Sequence, residues 1–389
     1  MKKIRKLFGV YHHVMFLNRL LPRYVKRYTD RKYLTDGRRA LKKAGLLDTR
    51  NLSENYLEEI KRNWKKHYGR TVDPLWHIAI ANYTGKEDWR YIPQNLWFTE
   101  VLPCFNNMSM RPAYLDKNLA DILMNINMRM PETVVKRMHG RYYTADNTWL
   151  PASDACQLIQ NETEDMIIKS SQTDNGVNIK LLQSDGRDLY VSGEKIGFEQ
   201  LEHKFGKDYL VQHKIRQHRI MAEPHPASVN TVRLVTFRHK DKIQVIISYA
   251  RFGAGNNITD NGATGGLACG IDERGRLKSF AVSKQNKRCE YHPTTSYYFG
   301  KCEVIPSFDS LCAHALEMHK QLFHFDLVSW DFVIDEGGEP IFLEVNYRGA
   351  CFRSQLVTEK PFFGELTEEV LNILKKNKLQ GNKGKNYTV

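Results

Sequence analysis

From Val328 to Asn346 apolar and polar positions alternate in two short runs, separated by Glu336-Gly337-Gly338-Glu339. Period-two alternation around a Gly-Gly loop predicts a β-hairpin, with Val328–Asp335 paired to Pro340–Asn346. Setting Ile334 opposite Ile341 places Asp331 opposite Glu344. One face then holds Phe332, Ile334, Ile341, Leu343 and Val345, all apolar, and belongs to a core. The other face gathers Asp331, Glu344 and Asn346. Two carboxylates facing each other across strands repel unless a cation sits between them. Three oxygen donors on one rigid face suit Mg²⁺, a hard ion that keeps positions open for phosphate and water. The plainer alternative is a solvated strand face.

The same pattern reading extends along the chain. Residues 1–70 mix polar and apolar positions at helical spacing, with breaks near Pro22, Gly37 and Gly45. Pro74–Pro112, rich in aromatics and prolines, reads as an irregular segment wrapped on the next lobe. Helices are expected over Asp116–Met128, from Ser153 (with Asp154 favouring its N-terminal end), over Phe308–Phe323 and over Leu366–Lys375. Strands are expected at Thr133–Lys136, Met166–Lys169, Leu189–Val191, Tyr209–Gln212, Val232–Phe237 and Ile243–Tyr249. Clustered strands with helices between them indicate an α+β fold. A chain of 389 residues exceeds one small core, and four parts are expected. These are a basic helical extension at 1–70, a lobe at 71–150, and two subdomains at 151–225 and 226–389.

Charge adds a feature the pattern does not show. The chain carries a net +14, and residues 1–45 hold fourteen Lys and Arg against only Asp30 and Asp36. Such a block contacts an anionic surface or is simply a solvated helical face. Interleaved Leu7, Phe8, Val10, Val14, Phe16, Leu20 and Leu21 favour an anionic membrane over nucleic acid, for which no recognised module is present. No apolar run approaches the roughly 20 residues of a membrane span, and no signal peptide is read at the N-terminus. Seven scattered cysteines never form CxxC, and the fourteen histidines lack a metal-binding spacing. The expectation is a reduced, cytoplasmic chain, peripheral at the inner membrane face.

Three further stretches carry candidate chemistry. In Asp165–Leu182 an apolar strand delivers Lys169 into the polar loop Ser170, Ser171, Gln172, Thr173, Asp174, Asn175 and Gly176, followed by a second strand. Small loop residues let backbone N–H groups meet phosphate oxygens, and the lysine supplies a point charge. Arg233 stands inside the apolar run Ser228–Phe237 and needs an anionic partner, a carboxylate or a ligand phosphate. Arg251–Asp272 holds six glycines and reads as a flexible loop bearing Arg251, Asp260 and Asn261. It lacks the third glycine of a dinucleotide fingerprint, and no P-loop, nucleophile elbow or kinase signature occurs.

Taken in order, these residues resemble the ATP-grasp superfamily. The series runs Asp116-Lys117, Lys169 with its loop, Val211-Gln212, Asn230-Thr231-x-Arg233, Asp331, and Glu344-x-Asn346. The runs SVNTVRLVTF, RFGAGNNITDNGATGG and WDFVIDEGGEPIFLEVN are most similar to the sugar-transfer-associated ATP-grasp family, over roughly residues 90–370. The resemblance implies ATP held between two α+β subdomains. Lys117 and Lys169 would bind its phosphates under a loop containing Thr173, Asp174, Asn175 and Gly176. The backbone at Val211 and Gln212 would meet the adenine. Asp331, Glu344 and Asn346 would hold Mg²⁺. Arg233 and Arg251 would steady an acyl phosphate, and Arg348 would meet substrate. The implied reaction joins a carboxylate to an amine, with sugar- or lipid-linked substrates. A kinase acting on a hydroxyl, or a nucleotide-binding membrane scaffold, is the alternative. Two departures stand out: the loop has a single glycine, and Ser329 occupies the position where related ligases carry an arginine.

Overall fold

The strands form two sheets, antiparallel throughout, in a computed structural model that describes residues 24–173 and 178–381. The first joins β1 (Thr133–Met138), β2 (Arg141–Tyr143), β3 (Trp149–Leu150), β4 (Met166–Ser170), β5 (Ile179–Ser184), β6 (Leu189–Val191), β7 (Glu194–Ile196) and β8 (Tyr209–His213). Its order is β3-β2-β1-β8-β4-β5-β6-β7. The second joins β9 (Thr231–His239), β10 (Lys242–Phe252), β11 (Leu267–Ile271), β12 (Leu277–Val282), β13 (Arg288–Cys289), β14 (Leu327–Ile334) and β15 (Pro340–Asn346). Its order is β13-β12-β11-β10-β9-β14-β15. Both sheets, with their helices, make up an α+β architecture.

Each sheet buries one face under helices. On the first, Met166, Ile168, Leu182 and Val211 pack with Ala155 and Ile159 of the Ala152–Asn161 helix and Leu201 and Phe205 of the Phe198–Phe205 helix. On the second, Val232, Leu234, Trp330 and Phe332 pack with Leu311, Ala315 and Met318 of the Phe308–His319 helix. Burying such a side chain contributes roughly 1.5–3 kcal/mol. Since alternate residues point oppositely, the residues between these on each strand face away from both cores.

The hairpin forms, with a register that differs in detail from expectation. Asp331 does pair with Glu344, but Ile334 pairs with Pro340 and Val333 with Ile341. A bulge at Asp331/Phe332 leaves Leu343 as the extra residue, so Phe342 sits opposite Phe332. Ile341 and Leu343 therefore leave the core face, and Phe342 joins it against Trp330 and Phe332. Asp331, Glu344 and Asn346 stay together on the other face because the bulge lies to one side of them.

Other expectations need correction. Pro74–Pro112 is largely helical, with Leu75–Thr84, Gln94–Leu96, Trp97–Val101, Leu102–Phe105 and Arg111–Leu115. Pro74 and Pro93 sit at N-caps and Pro112 in a first turn, where a missing N–H costs nothing. The expected Asp116–Met128 helix shrinks to Lys117–Leu119 and Ala120–Leu123, ending where Met124 turns extended. The glycine-rich stretch after Arg251 is no continuous loop, since Leu267–Ile271 is the fully buried strand β11. Gly270 belongs there because a Cβ would come within 2.2 Å of the Val357 carbonyl oxygen. Gly37 lies inside the helix at residues 24–43 and does not break it, whereas Gly45, at φ +72°, follows its end. Pro22 lies outside the described residues. All seven cysteines are free.

The chain divides into two compact units. One comprises Phe105–Gly349 with Leu356–Thr358 and contains both sheets. The other comprises the described residues of Met1–Cys104, Ala350–Gln355 and Glu359–Val389. It is built from helices, with Tyr56, Ile60, Trp64 and Tyr68 forming the buried stripe of Tyr56–Tyr68.

Candidate functional site

Four adjacent strands of the second sheet place one residue each in a single cross-strand row. Tyr249 on β10 pairs with Arg233 on β9, Arg233 with Asp331 on β14, and Asp331 with Glu344 on β15. These residues alternate with core positions such as Leu234, Trp330 and Val345, so the whole row projects from the face opposite that core. Asp331, 1% exposed, takes both charge-assisted bonds of a bidentate pair from Arg233, with Nε 2.6 Å from Oδ1 and Nη2 donating to Oδ2. Arg251, two residues beyond Tyr249 on the same face, donates to Asp331 Oδ2 at 3.1 Å. Its other terminal nitrogen lies 3.0 Å from Asp260, whose second oxygen accepts from the Thr231 hydroxyl.

Two lysines from the first sheet's side meet this row. Lys169 follows the core residue Ile168 on β4, so it points away from the first core, and it is 6% exposed. Lys117 opens the short turn after Asp116, a turn held by four side-chain hydrogen bonds. Asp116 Oδ1 accepts from the Asn118 N–H at 3.0 Å, and Asp116 Oδ2 accepts from Gln172 Nε2 at 2.9 Å. Asn118 Nδ2 donates to the Arg137 carbonyl at 2.9 Å and reaches the Tyr209 carbonyl at 3.3 Å. From there Lys117 Nζ donates to the Thr173 carbonyl at 2.8 Å and lies 3.5 Å from Glu344 Oε2.

The cluster thus sets four cations (Lys117, Lys169, Arg233, Arg251) against three carboxylates (Asp331, Glu344, Asp260). Burial works to raise Glu344, but Lys117, Lys169 and Arg233 outweigh it and hold its carboxyl below the usual range. Burial, then the neighbouring Lys117 ammonium, push Lys169 down to about 8 against the opposing pull of Glu344. Burial weighs against the Arg233 charge, yet Asp331 holds that guanidinium well above its ordinary value. Asp260 is pushed up by burial, with Arg251 opposing. A site with more fixed cations than carboxylates favours an incoming anion.

The residues also fit a hard cation. Asn346 Nδ2 lies 3.1 Å from Asp331 Oδ2 and 3.3 Å from Glu344 Oε1, so one oxygen of each carboxylate converges on a single point. Turning the Asn346 amide over brings a third oxygen to that point, since amide orientation is an assignment. Among the described residues no group of three or more His, Cys, Asp or Glu forms a metal site, so a cation here rests on two carboxylates and an amide.

The remaining residues singled out in the sequence fall in several places. Thr173 lies beside Lys117, while Asp174, Asn175 and Gly176 lie outside the described residues. Val211 and Gln212 sit inside β8, paired with β1 on one side and β4 on the other. The register on the β1 side shifts between Thr133 and Val135 opposite them, and the next two N–H groups, of His213 and Lys214, bond the Glu132 and Asp165 carbonyls. Arg348 is exposed, just past β15. Sequence reasoning missed Tyr249 and gave Asp260 no partner. The i, i+2 spacing of Tyr249 and Arg251 in a strand would have placed both on Arg233's face.

A family profile described as "Sugar-transfer associated ATP-grasp" matches residues 99–370. No curated protein matches the chain in sequence. Among solved structures, the VanG D-Ala:D-Ser ligase from Enterococcus faecalis is similar at 15% identity and a TM-score of 0.39, over 67% of this chain and 61% of that one. The D-alanine–D-alanine ligase from Bacillus anthracis is similar at 12% identity and a TM-score of 0.39, over 72% and 71%. The N5-carboxyaminoimidazole synthetase from Staphylococcus aureus is similar at 10% identity and a TM-score of 0.35, over 64% and 52%. Likeness at this level fixes no activity.

Proposed function

This chain belongs to the sugar-transfer associated ATP-grasp family, and from that footing we propose that it is an ATP- and Mg²⁺-dependent ligase joining a carboxylate to an amine. One observation carries the reading: Lys117 and Lys169 converge on the row formed by Arg233, Asp331 and Glu344. Phosphoryl transfer depends on positioning and on cationic groups arranged around the moving charge, and this cluster supplies both.

In the proposed reaction a substrate carboxylate oxygen attacks the γ-phosphorus of ATP. The bond from that phosphorus to the β,γ-bridging oxygen breaks, ADP leaves, and an acyl phosphate forms. The amine nitrogen then attacks the acyl carbon, inorganic phosphate departs, and the amine proton passes to solvent as the amide forms. Lys117 and Lys169 engage the phosphates, with Thr173 and residues 174–176 of the adjoining loop. Arg251 and the donors Arg233 retains beyond Asp331 steady the acyl phosphate, and Arg348 meets substrate. Asp331, Glu344 and Asn346 would hold Mg²⁺, which neutralises phosphate charge when bound. The family's description, which names sugar transfer, supports a saccharide-linked substrate in cell-surface glycan synthesis.

The assay follows ADP release with candidate uronic acids and amino compounds. ADP should appear at an appreciable rate only when carboxylate and amine are both present, and hydroxylamine in place of the amine should yield a hydroxamate. A stable phosphorylated hydroxyl product, formed without any amine, would identify a kinase instead.

Lys169 gives this reading a pH signature. The ammonium form attracts phosphate, so ATP affinity should fall as pH rises through about 8, where Lys169 loses its proton. The fall should approach tenfold per pH unit at most. Calorimetric titration of ATP between pH 7 and 9.5 checks it. Lys169→Gln should bind weakly and lack the dependence, and an unchanged slope in that variant removes Lys169 from the phosphate site.

A further inference from the structure

The helix at residues 24–43 has an inner side fixed by contacts within its own unit. Leu41 is 1% exposed, and Tyr33 stacks on Phe98 with ring centroids 4.9 Å apart. Asp30 accepts from Asn95 at 2.8 Å, and Lys26 lies 3.1 Å from Glu100. Gly37 rests against Trp76, where a Cβ would come within 2.6 Å of the indole ring. Rotation about the helix axis is therefore set, and so is the side left to solvent.

That outer side has a distinct chemistry. Tyr24 and Tyr28 are 69% and 60% exposed, and Val25 beside them is exposed too. Arg27, Arg31, Lys32, Arg39, Lys42 and Lys43 are exposed and have no ion-pair partner among the described residues, whereas Arg38 is paired with Asp73. At 3.6 residues per turn, Tyr24, Tyr28, Arg31, Thr35, Arg39 and Lys42 fall along one stripe. Asp36 is the sole acid exposed on this helix.

We propose that this face docks the chain on an anionic phospholipid bilayer. The cations engage headgroup phosphates, and the two tyrosines sit at the boundary between headgroups and acyl chains. Charge complementarity alone fits any polyanion, but exposed tyrosines on the same stripe favour a surface with an apolar layer beneath the charge. The preceding sequence continues the mixture, with Leu7, Phe8, Val14, Phe16, Leu20 and Leu21 among its lysines and arginines. No helix among the described residues is long and apolar enough to cross a membrane, so the contact would be peripheral. The inference is independent of the reaction at the nucleotide site.

Co-sedimentation of the full chain with vesicles tests it. Binding should be strong to vesicles of equal parts phosphatidylglycerol and phosphatidylcholine, negligible to phosphatidylcholine alone, and weakened by raised salt. Replacing Arg31, Lys32, Arg39 and Lys42 together by Gln should weaken partition on the order of a thousandfold, with the melting temperature unchanged. Should that variant fail to fold, the smaller Arg39→Gln, Lys42→Gln pair should weaken binding about thirtyfold, and the Tyr24→Ala, Tyr28→Ala pair severalfold. Unchanged binding in the variants overturns the proposal. So does equal binding to both vesicle types, or tighter binding to duplex DNA than to anionic vesicles at the same salt.

Discussion

Arg233→Ala should destabilise the sheet-bearing unit by about 3–5 kcal/mol, the cost of stripping one partner from a buried ion pair. Asp331, 1% exposed, would lose both bonds of its bidentate contact and keep only Arg251 and Asn346. Urea unfolding measures this directly. The double variant Arg233→Met, Asp331→Leu should recover most of the loss, because an apolar pair of similar volume removes the buried charge with its partner. It should recover no ATP turnover, since Asp331 is assigned to the cation and Arg233 to the acyl phosphate. A loss under 1 kcal/mol in Arg233→Ala would mean that the pair is not closed in the native protein.

Glu344→Gln should lower ATP turnover by roughly a hundredfold to a thousandfold, the range seen when one electrostatic contact to a reacting centre is removed. The substitution keeps the shape, and Asn346 can still bond the new amide. What disappears is the negative charge that faces Lys117 and Lys169, with an uncharged amide nitrogen in place of the oxygen nearest Lys117. Stability should respond as well, with a definite sign. The folded-state pKa of Glu344 lies below its unfolded value, so its contribution is present above the unfolded value and lost as pH falls through the folded one. The wild type should therefore lose more stability than Glu344→Gln between neutral pH and strongly acid pH. Parallel acid limbs for the two proteins would contradict the depressed value, and unaltered turnover would contradict the site assignment.

Much of this site could be read from residue types alone, though not always for the right reason. The pairing of Asp331 with Glu344 was legible because alternation places both polar residues on one face. The register behind it was wrong by one beyond Asp331, since a bulge at Leu343 leaves no mark in an alternating pattern. Arg233 inside an apolar run signalled a buried anion, and the sequence left open whether that was a carboxylate or a phosphate. The fold supplies Asp331, a neighbour only through strand pairing 98 positions away. Strand β11 hid among glycines because Gly270 answers to the close approach of the Val357 carbonyl and not to a turn. Helices in Pro74–Pro112 were masked by prolines whose N-terminal placement only the structure reveals. Val211 and Gln212 read as strand from their apolar run, and the fold adds the two neighbours, β1 and β4, that the sequence does not name.

Whether this cluster activates a carboxylate by phosphoryl transfer is tested most directly by an isotope measurement. A carboxylate substrate labelled with oxygen-18 is turned over with ATP and amine, and the inorganic phosphate released is analysed by mass spectrometry. An acyl phosphate keeps one carboxylate oxygen as its bridge to phosphorus, so one labelled oxygen is expected in each phosphate formed. Phosphate free of label, with the label retained in full by the organic product, would contradict it.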